Sequence, residues 1–232
     1  MSPSLALKSY DKVALNSGLV LDLPMREGAG SLVGDRSRYH NNGMITGATW
    51  QKDSSGVWTT LHDGDDSVDF GALFNSLGTI WFSLWFKLTA DFSTASPSSQ
   101  RLLAKRKAAT DITEFYLSKV NGKLTGLHYI GSAVKYSIAG TATSWVAGVW
   151  HHMLVSMSAA NAVRLLVDGN LEDTDTDKTP LADGGALILG AQQSGTAGGF
   201  EGNITLFQVG TSDLTSEEEA ELWNRGKRLL GV

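Results

Sequence analysis

The stretch from Val149 to Asn170, VWHHMLVSMSAANAVRLLVDGN, constrains the fold more than any other part of the chain. In its first half His151, Met153, Val155 and Met157 alternate with Trp150, His152, Leu154 and Ser156. In its second half Val163, Leu165 and Val167 alternate with Arg164, Leu166 and Asp168. A period of two puts each set on one face of a β-strand. Small and amide residues, Ser158 to Asn161, turn the chain between the halves. Asp168-Gly169 suits a tight hairpin, because both residues accept positive φ. Leu171 to Asp177 follow as a third strand, which makes this region the centre of an antiparallel meander.

The same period recurs upstream. Ile80, Phe82, Leu84, Phe86 and Leu88 share one face, and Trp81, Ser83, Trp85 and Lys87 the other. Aromatic residues on both faces predict a central strand with one side in a sandwich core. Further strands are predicted near 101–106, 114–120, 123–130, 133–138, 186–190 and 200–210, with Asn121-Gly122 as a second tight turn. Residues 215–229 form the one predicted helix. Thr215 and Glu218 fit a capping box. Glu217 to Glu219 suit the positive end of its dipole and Lys227 and Arg228 the negative end. Leu222 and Trp223 are placed to dock on a sheet.

At 232 residues and 42% hydrophobic content, the chain is long enough for one large all-β domain. We place that domain at 18–232, preceded by an arm over 1–17 that shows no period. Cysteine is absent, which excludes a disulfide framework and thiolate metal sites. A formal net charge of −5 argues against nucleic acid as a partner. The short basic run Lys105-Arg106-Lys107, beside Arg101, reads as a solvated turn or an assembly contact. No window approaches the roughly 18 apolar residues of a membrane span. The first residues lack the apolar run of a secretory signal.

WHHMLVSMSAANAVRLLVDGN resembles the core signature of laminin-G-like and pentraxin-like domains of the concanavalin A-like jelly-roll superfamily, in which Trp-His-His opens one strand and Val-Asp-Gly closes the next. The flanks carry the likeness further. A strand at Gly18–Leu23, the Glu27-Gly-x-Gly30 turn, the Asp35-x-Ser37 loop ending in Asn42-Gly43, and Trp50 are similar to the family's entry. Leu61–Phe70 matches its next signature, a hairpin ending in a strand, and the C-terminal helix matches its close. Running from about 18 to 228, the resemblance implies an antiparallel two-sheet jelly-roll sandwich with one short C-terminal helix.

Glycosidases of this superfamily place carboxylates at i, i+2 and i+4 of one strand, where two of them divide the acid and nucleophile work. Asp173-x-Asp175-x-Asp177 is the sole match, and no aromatic residue stands beside it to hold a sugar. It reads as a charged edge strand, so no catalytic residue is assigned, the protein is expected not to be an enzyme, and glycoside hydrolysis is the outsider. Asp63, Asp65 and Asp66 read as turn residues. His151 and His152 point to opposite faces and cannot share a metal; His151, among methionines and valines, reads as structural.

The resemblance also implies a test for calcium. Pentraxin-like relatives hold it with an Asp-Asn pair and a Glu-Gln-Asp run after a Leu-Gly strand. Here Leu189-Gly190 is followed by Ala191-Gln192-Gln193-Ser194, and Ile112 replaces the amide after Asp111. Calcium prefers several charged oxygens, so that ligand site is expected to be absent or weak. A structural Ca2+ would belong in the Asp35–Asn42 loop, on Asp35, Asn41 and Asn42. Metal-free glycan binding would use Tyr129 and Tyr136 on adjacent strands, Trp145 in its loop, and Gln192 and Gln193.

These readings converge on a non-enzymatic binding or structural module. Its first expected use is as a bacteriophage decoration or appendage protein on the virion surface, assembled as a homo-oligomer or on capsid proteins and able to touch host glycans. The alternative is a carbohydrate-binding lectin of a bacterial protein or assembly, extracellular or at the cell surface.

Overall fold

The computed structural model describes residues 18–75, 77–158, 162–177, 179–181, 184–192 and 198–232. The arm over 1–17, the turn residues 159–161 and the candidate Gln193 lie outside the described residues.

Two antiparallel sheets of eight strands each form a sandwich. Sheet I runs in the order β14 (Asn170–Asp175), β13 (Val163–Val167), β12 (Trp150–Met157), β7 (Ile80–Leu88), β16 (Glu201–Gly210), β5 (Trp58–Asp63), β4 (Thr49–Lys52), with β1 (Leu19–Leu23) also pairing β16. Sheet II runs β11 (Ala133–Ala139), β10 (Leu124–Ile130), β9 (Asp111–Leu117), β8 (Gln100–Ala108), β15 (Ala186–Leu189), β6 (Ser67–Asp69), β3 (Gly43–Thr46), β2 (Leu32–Val33).

The alternation read from the sequence sorts residues between the core and the outside of sheet I. Phe82, Leu84 and Phe86 of β7, Met153 and Val155 of β12, and Leu165 of β13 face the core between the sheets. Trp81 and Trp85 of β7, Trp150 and Leu154 of β12, and Leu166 of β13 point the other way, yet they too are buried. What buries them is α1 (Ser216–Leu230). Leu222 packs with Trp81, Leu154 and Leu166, and Leu230 with Trp85, Trp150 and Leu206. Trp223 stacks on Trp85, with ring centroids 4.9 Å apart and planes 3° from parallel. An Arg164–Glu219 ion pair ties the first turn of the helix to β13. The capping box forms as expected: Glu218 N donates to Thr215 Oγ1 and Thr215 N to Glu218 Oε2.

Asp168, at φ 50°, and Gly169, at φ 79°, make the β13–β14 turn. Asp168 Oδ1 accepts from His152 N and Oδ2 is 2.8 Å from His151 Nδ1, so the turn residue also clamps β12. Two local expectations are corrected. Leu61–Phe70 is not a hairpin: β5 belongs to sheet I and β6 to sheet II, and the chain crosses between them at 64–66. Asp66 Oδ2 accepts from Asp63 N across that crossing, which is the turn chemistry expected of these residues. The basic run 105–107 is not a solvated turn but part of β8. Lys105 is buried, its ammonium donating to Asn75 Oδ1, Gly184 O and Gly185 O.

The carboxylates of β14 have a structural task. Strand β11 ends sheet II, and backbone N–H groups along it would otherwise face outward. Ala139 N donates to Asp173 Oδ2, Ser137 N to Asp175 Oδ2 and, just beyond the strand, Thr141 N to Glu172 Oε2. This side-chain ladder closes the seam between the two sheets and blocks a free edge. Replacing Asp173 and Asp175 together by alanine is expected to cost about 1–3 kcal/mol, from two charge-assisted bonds in a partly exposed setting. The double asparagine variant keeps an acceptor at each position and should recover much of that loss in urea denaturation. Equal stability of both variants and the native protein would show the ladder to be inert.

Candidate functional site

α1 packs on sheet I, and among the described residues no helix packs on the outer face of sheet II. Register assembles it row by row. One row crosses all eight strands: Ser137, Leu127, Glu114, Ala104, Ile188, Asp69, Met44 and Leu32. The row on one side contains Thr125, Tyr116 and Arg101; the row on the other contains Val134, Tyr129, Ile112 and Arg106.

A chain of polar side chains ties these rows together. Arg101 Nε donates to Glu114 Oε2 at 3.3 Å, and its Nη1 donates to Gly198 O at 3.1 Å. Gln192 Nε2 donates to the same Glu114 oxygen at 2.9 Å, and Arg106 Nη1 donates to Gln192 Oε1 at 3.0 Å. Both ends of the Gln192 amide are therefore oriented. The Arg101 guanidinium lies over the Tyr116 ring, 5.7 Å from its centroid. Burial, reinforced by the nearby Glu114 carboxylate, pushes the Tyr116 phenol above its ordinary range, so it keeps its proton as a donor. Beyond Gln192 an open pocket of about 350 Å³ is lined by Arg106, Lys107, Ala186 and Ile188, among others.

Of the residues expected to hold a glycan, the structure brings Tyr129 and Gln192 to this face. It corrects two others. Tyr136 is fully buried, stacked on His128 at 5.2 Å, because its side of β11 faces the core. Trp145 is 3% exposed, donates from Nε1 to Gly122 O and packs edge-on against His151. Neither ring offers a surface to a sugar.

The calcium candidates do not fit an ion. The Asp35 carboxylate already accepts from Asp22 N, Ser37 N, Ser37 Oγ and Asn41 N. Asn42 Oδ1 accepts from Asp35 N, and the Asn41 amide donates to Val20 O. This loop is locked by its own hydrogen bonds. Asp111 lies on β9, separated from β2 by the strands β8, β15, β6 and β3, and its Oδ1 accepts from Gly131 N. Among the described residues Asp63, Asp65 and Asp66 form the one group of three or more acidic or histidine side chains whose ligand atoms lie within 4.8 Å of one another.

Arg101, Glu114 and Tyr116 were missed by reading the sequence. Their signal was present, since Glu114 and Tyr116 alternate with the core residues Thr113, Phe115 and Leu117. Aligning them with Arg101 depends on a bulge between Arg101 and Leu103, which no local pattern announces.

A sandwich whose central strands are β7, β12 and β16, closed by a C-terminal helix, agrees with the comparison by sequence. Residues 62–218 match a family model described as the concanavalin A-like lectin/glucanases superfamily. The chain belongs to this superfamily. No curated protein sequence matches it. Among solved structures, this superfamily member is similar to domain 4 of AbnA, a GH43 extracellular arabinanase from Geobacillus stearothermophilus, in complex with arabinotriose. The TM-score is 0.71 and the identity 15%, over 89% of this chain and 99% of that one. The binding domain of Paraclostridial mosquitocidal protein 1 is similar at a TM-score of 0.69 and 13% identity, over 89% of this chain and 52% of that one. Trypanosoma rangeli sialidase in complex with sialic acid gives 0.69 and 15%, over 94% of this chain and 34% of that one. The likeness to all three is one of fold. No helix among the described residues is long and apolar enough to cross a membrane.

Proposed function

We propose that the protein is a non-enzymatic glycan-binding module that takes its ligand on the outer face of sheet II. One observation carries this reading: the Arg101–Glu114–Gln192–Arg106 chain lies fixed on a flat β-surface between the half-buried rings of Tyr116 and Tyr129. A sugar presents apolar C–H faces and a ring of hydroxyls. An aromatic edge beside pre-oriented donors and acceptors complements both. The carboxylates with the spacing of a hydrolase pair, Asp173 and Asp175, are engaged by the backbone of β11 instead. The fold it shares with an arabinanase domain in complex with arabinotriose and with toxin binding domains supports the reading by analogy.

The test is a glycan array followed by calorimetric titration of any hit. Tyr116→Ala and Glu114→Gln are each expected to weaken binding at least tenfold, whereas Asp175→Asn should leave it unchanged. Undiminished binding by the first two variants would move the site elsewhere.

A second reading, docking on a virion shell as a bacteriophage decoration protein, draws on a different patch. Leu32 and Met44 are cross-strand neighbours at the β2 end of sheet II, and they are 44% and 52% exposed. In that reading the pair is the protein contact, at the β2 end of the same sheet face whose other end, around β9 and β10, takes the glycan. Replacing both by serine should abolish co-sedimentation with the particle and spare glycan binding.

A further inference from the structure

Glycan binding as such does not account for the pocket beyond Gln192. Its rim carries two cations adjacent in sequence, Arg106 and Lys107 at the end of β8, and its floor is the apolar pair Ala186 and Ile188 on β15. At about 350 Å³ it has the size of a small-ligand site. Arg101, Arg164 and Lys87 are paired with the carboxylates of Glu114, Glu219 and Asp53, and the ammonium of buried Lys105 donates to Asn75 Oδ1, Gly184 O and Gly185 O. The pocket differs. Arg106 reaches only the neutral oxygen of Gln192, and no carboxylate meets Arg106 or Lys107 among the described residues.

We propose that this pocket binds the carboxylate of an acidic sugar residue, which makes the protein selective for anionic glycans. The inference rests on the glycan reading and names the class of ligand. Gln192 anchors Arg106 through one terminal nitrogen, which leaves the other N–H groups of the guanidinium for a ligand. A planar guanidinium fork matches a carboxylate through two parallel bonds, a geometry a tetrahedral sulfate meets less well. Lys107, exposed at the rim, adds a point charge. Ile188 and Ala186 give an apolar floor for the C–H face of the same ring. Glu114 is held back from the ligand by its bonds to Arg101 and Gln192, so it orients the site without repelling the anion from the pocket.

The experiment uses the full chain and an array carrying uronic and nonulosonic acid glycans, the methyl esters of the same glycans, sulfated glycans and neutral glycans. Hits are then titrated at two salt concentrations. The acid form should bind at least tenfold more tightly than its methyl ester, and raised salt should narrow that gap. Lys107→Gln lies at an exposed position and should weaken the acid form severalfold. Arg106→Gln should abolish the distinction between acid and ester. Equal binding of acid and ester, or preference for neutral or sulfated glycans, would overturn this inference and leave the glycan-binding reading intact. An array with no hit at all would overturn both.

Discussion

Gly226→Ala is expected to destabilise the domain by about 2 kcal/mol, opposite in sign to the usual effect of this substitution inside a helix. Alanine ordinarily gains about 1 kcal/mol over glycine there, through lower backbone entropy and better helix propensity. At Gly226, however, an added Cβ would lie 2.1 Å from Trp85 Nε1 and 2.3 Å from Cε2. The indole cannot retreat, because Trp223 stacks on it at 4.9 Å and His152 packs at 5.1 Å. The helix must therefore lift from sheet I, and overpacking of this kind costs roughly 1–3 kcal/mol, occasionally more. Gly210 stands in the same relation to Trp81, with a closest approach of 2.3 Å, so Gly210→Ala should behave alike. Guanidinium denaturation followed by tryptophan fluorescence reads both. A Gly226→Ala variant as stable as the native protein would mean that α1 does not sit against Trp85 in this way.

Acidification should remove a large part of the stability well before the carboxylates are titrated. His62 and His152 are fully buried. Burial lowers the first to about 4, and lowers the second to about 3 despite the opposing Asp168 carboxylate. His62 is held neutral between Thr60 Oγ1 and the Asp66 carbonyl. His152 meets Ser83 Oγ through Nε2, while its Nδ1 is buried without a partner. In the unfolded chain both titrate near 6.5. Between that value and their folded pKa values the unfolded state binds more protons, so stability falls as pH falls. It is complete above about 6.5, declines by roughly 1.4 kcal/mol per pH unit for each histidine, and levels off near 3 to 4. The loss is on the order of 3 kcal/mol for His62 and about 5 kcal/mol for His152, against a usual total of about 5–15 kcal/mol. Asp66, raised chiefly by burial, contributes with the opposite sign. Urea midpoints at pH 7, 5.5 and 4.5 should fall steadily, and His152→Phe should flatten the trend. A flat profile in the native protein would exclude this account.

Much of the fold is legible in the order of the amino acids. The period of two across Ile80–Leu88 and Trp150–Met157, the Asp168-Gly169 turn and the Thr215/Glu218 capping box are local facts, set by backbone geometry and nearest neighbours. So is the turn chemistry of Asp66. The edge role of Asp173 and Asp175 shows as charge on a strand, although its partners on β11 lie more than thirty residues away in sequence.

The candidate site is harder to read because it depends on which strands become neighbours. Tyr129 and Tyr136 look equivalent on adjacent strands of one hairpin, but Tyr136 pairs with core-facing His128, so Tyr129, the next residue along β10, lies on the opposite face. In β16 the bulge at Leu206, φ 50°, moves the core face from Ile204 to Phe207 and Val209, so strict alternation fails within one strand. Arg101, Glu114, Gln192 and Arg106 meet only because β15 returns beside β8 after some eighty residues. By itself, then, the sequence determined the long strands, the Asp168-Gly169 turn and the helix that closes the chain, because each follows from short-range periodicity, and its family resemblance implied the two-sheet class. Only the tertiary structure decided which face is covered, which aromatic rings reach solvent and which charges share a pocket, because those follow from register between strands distant in sequence.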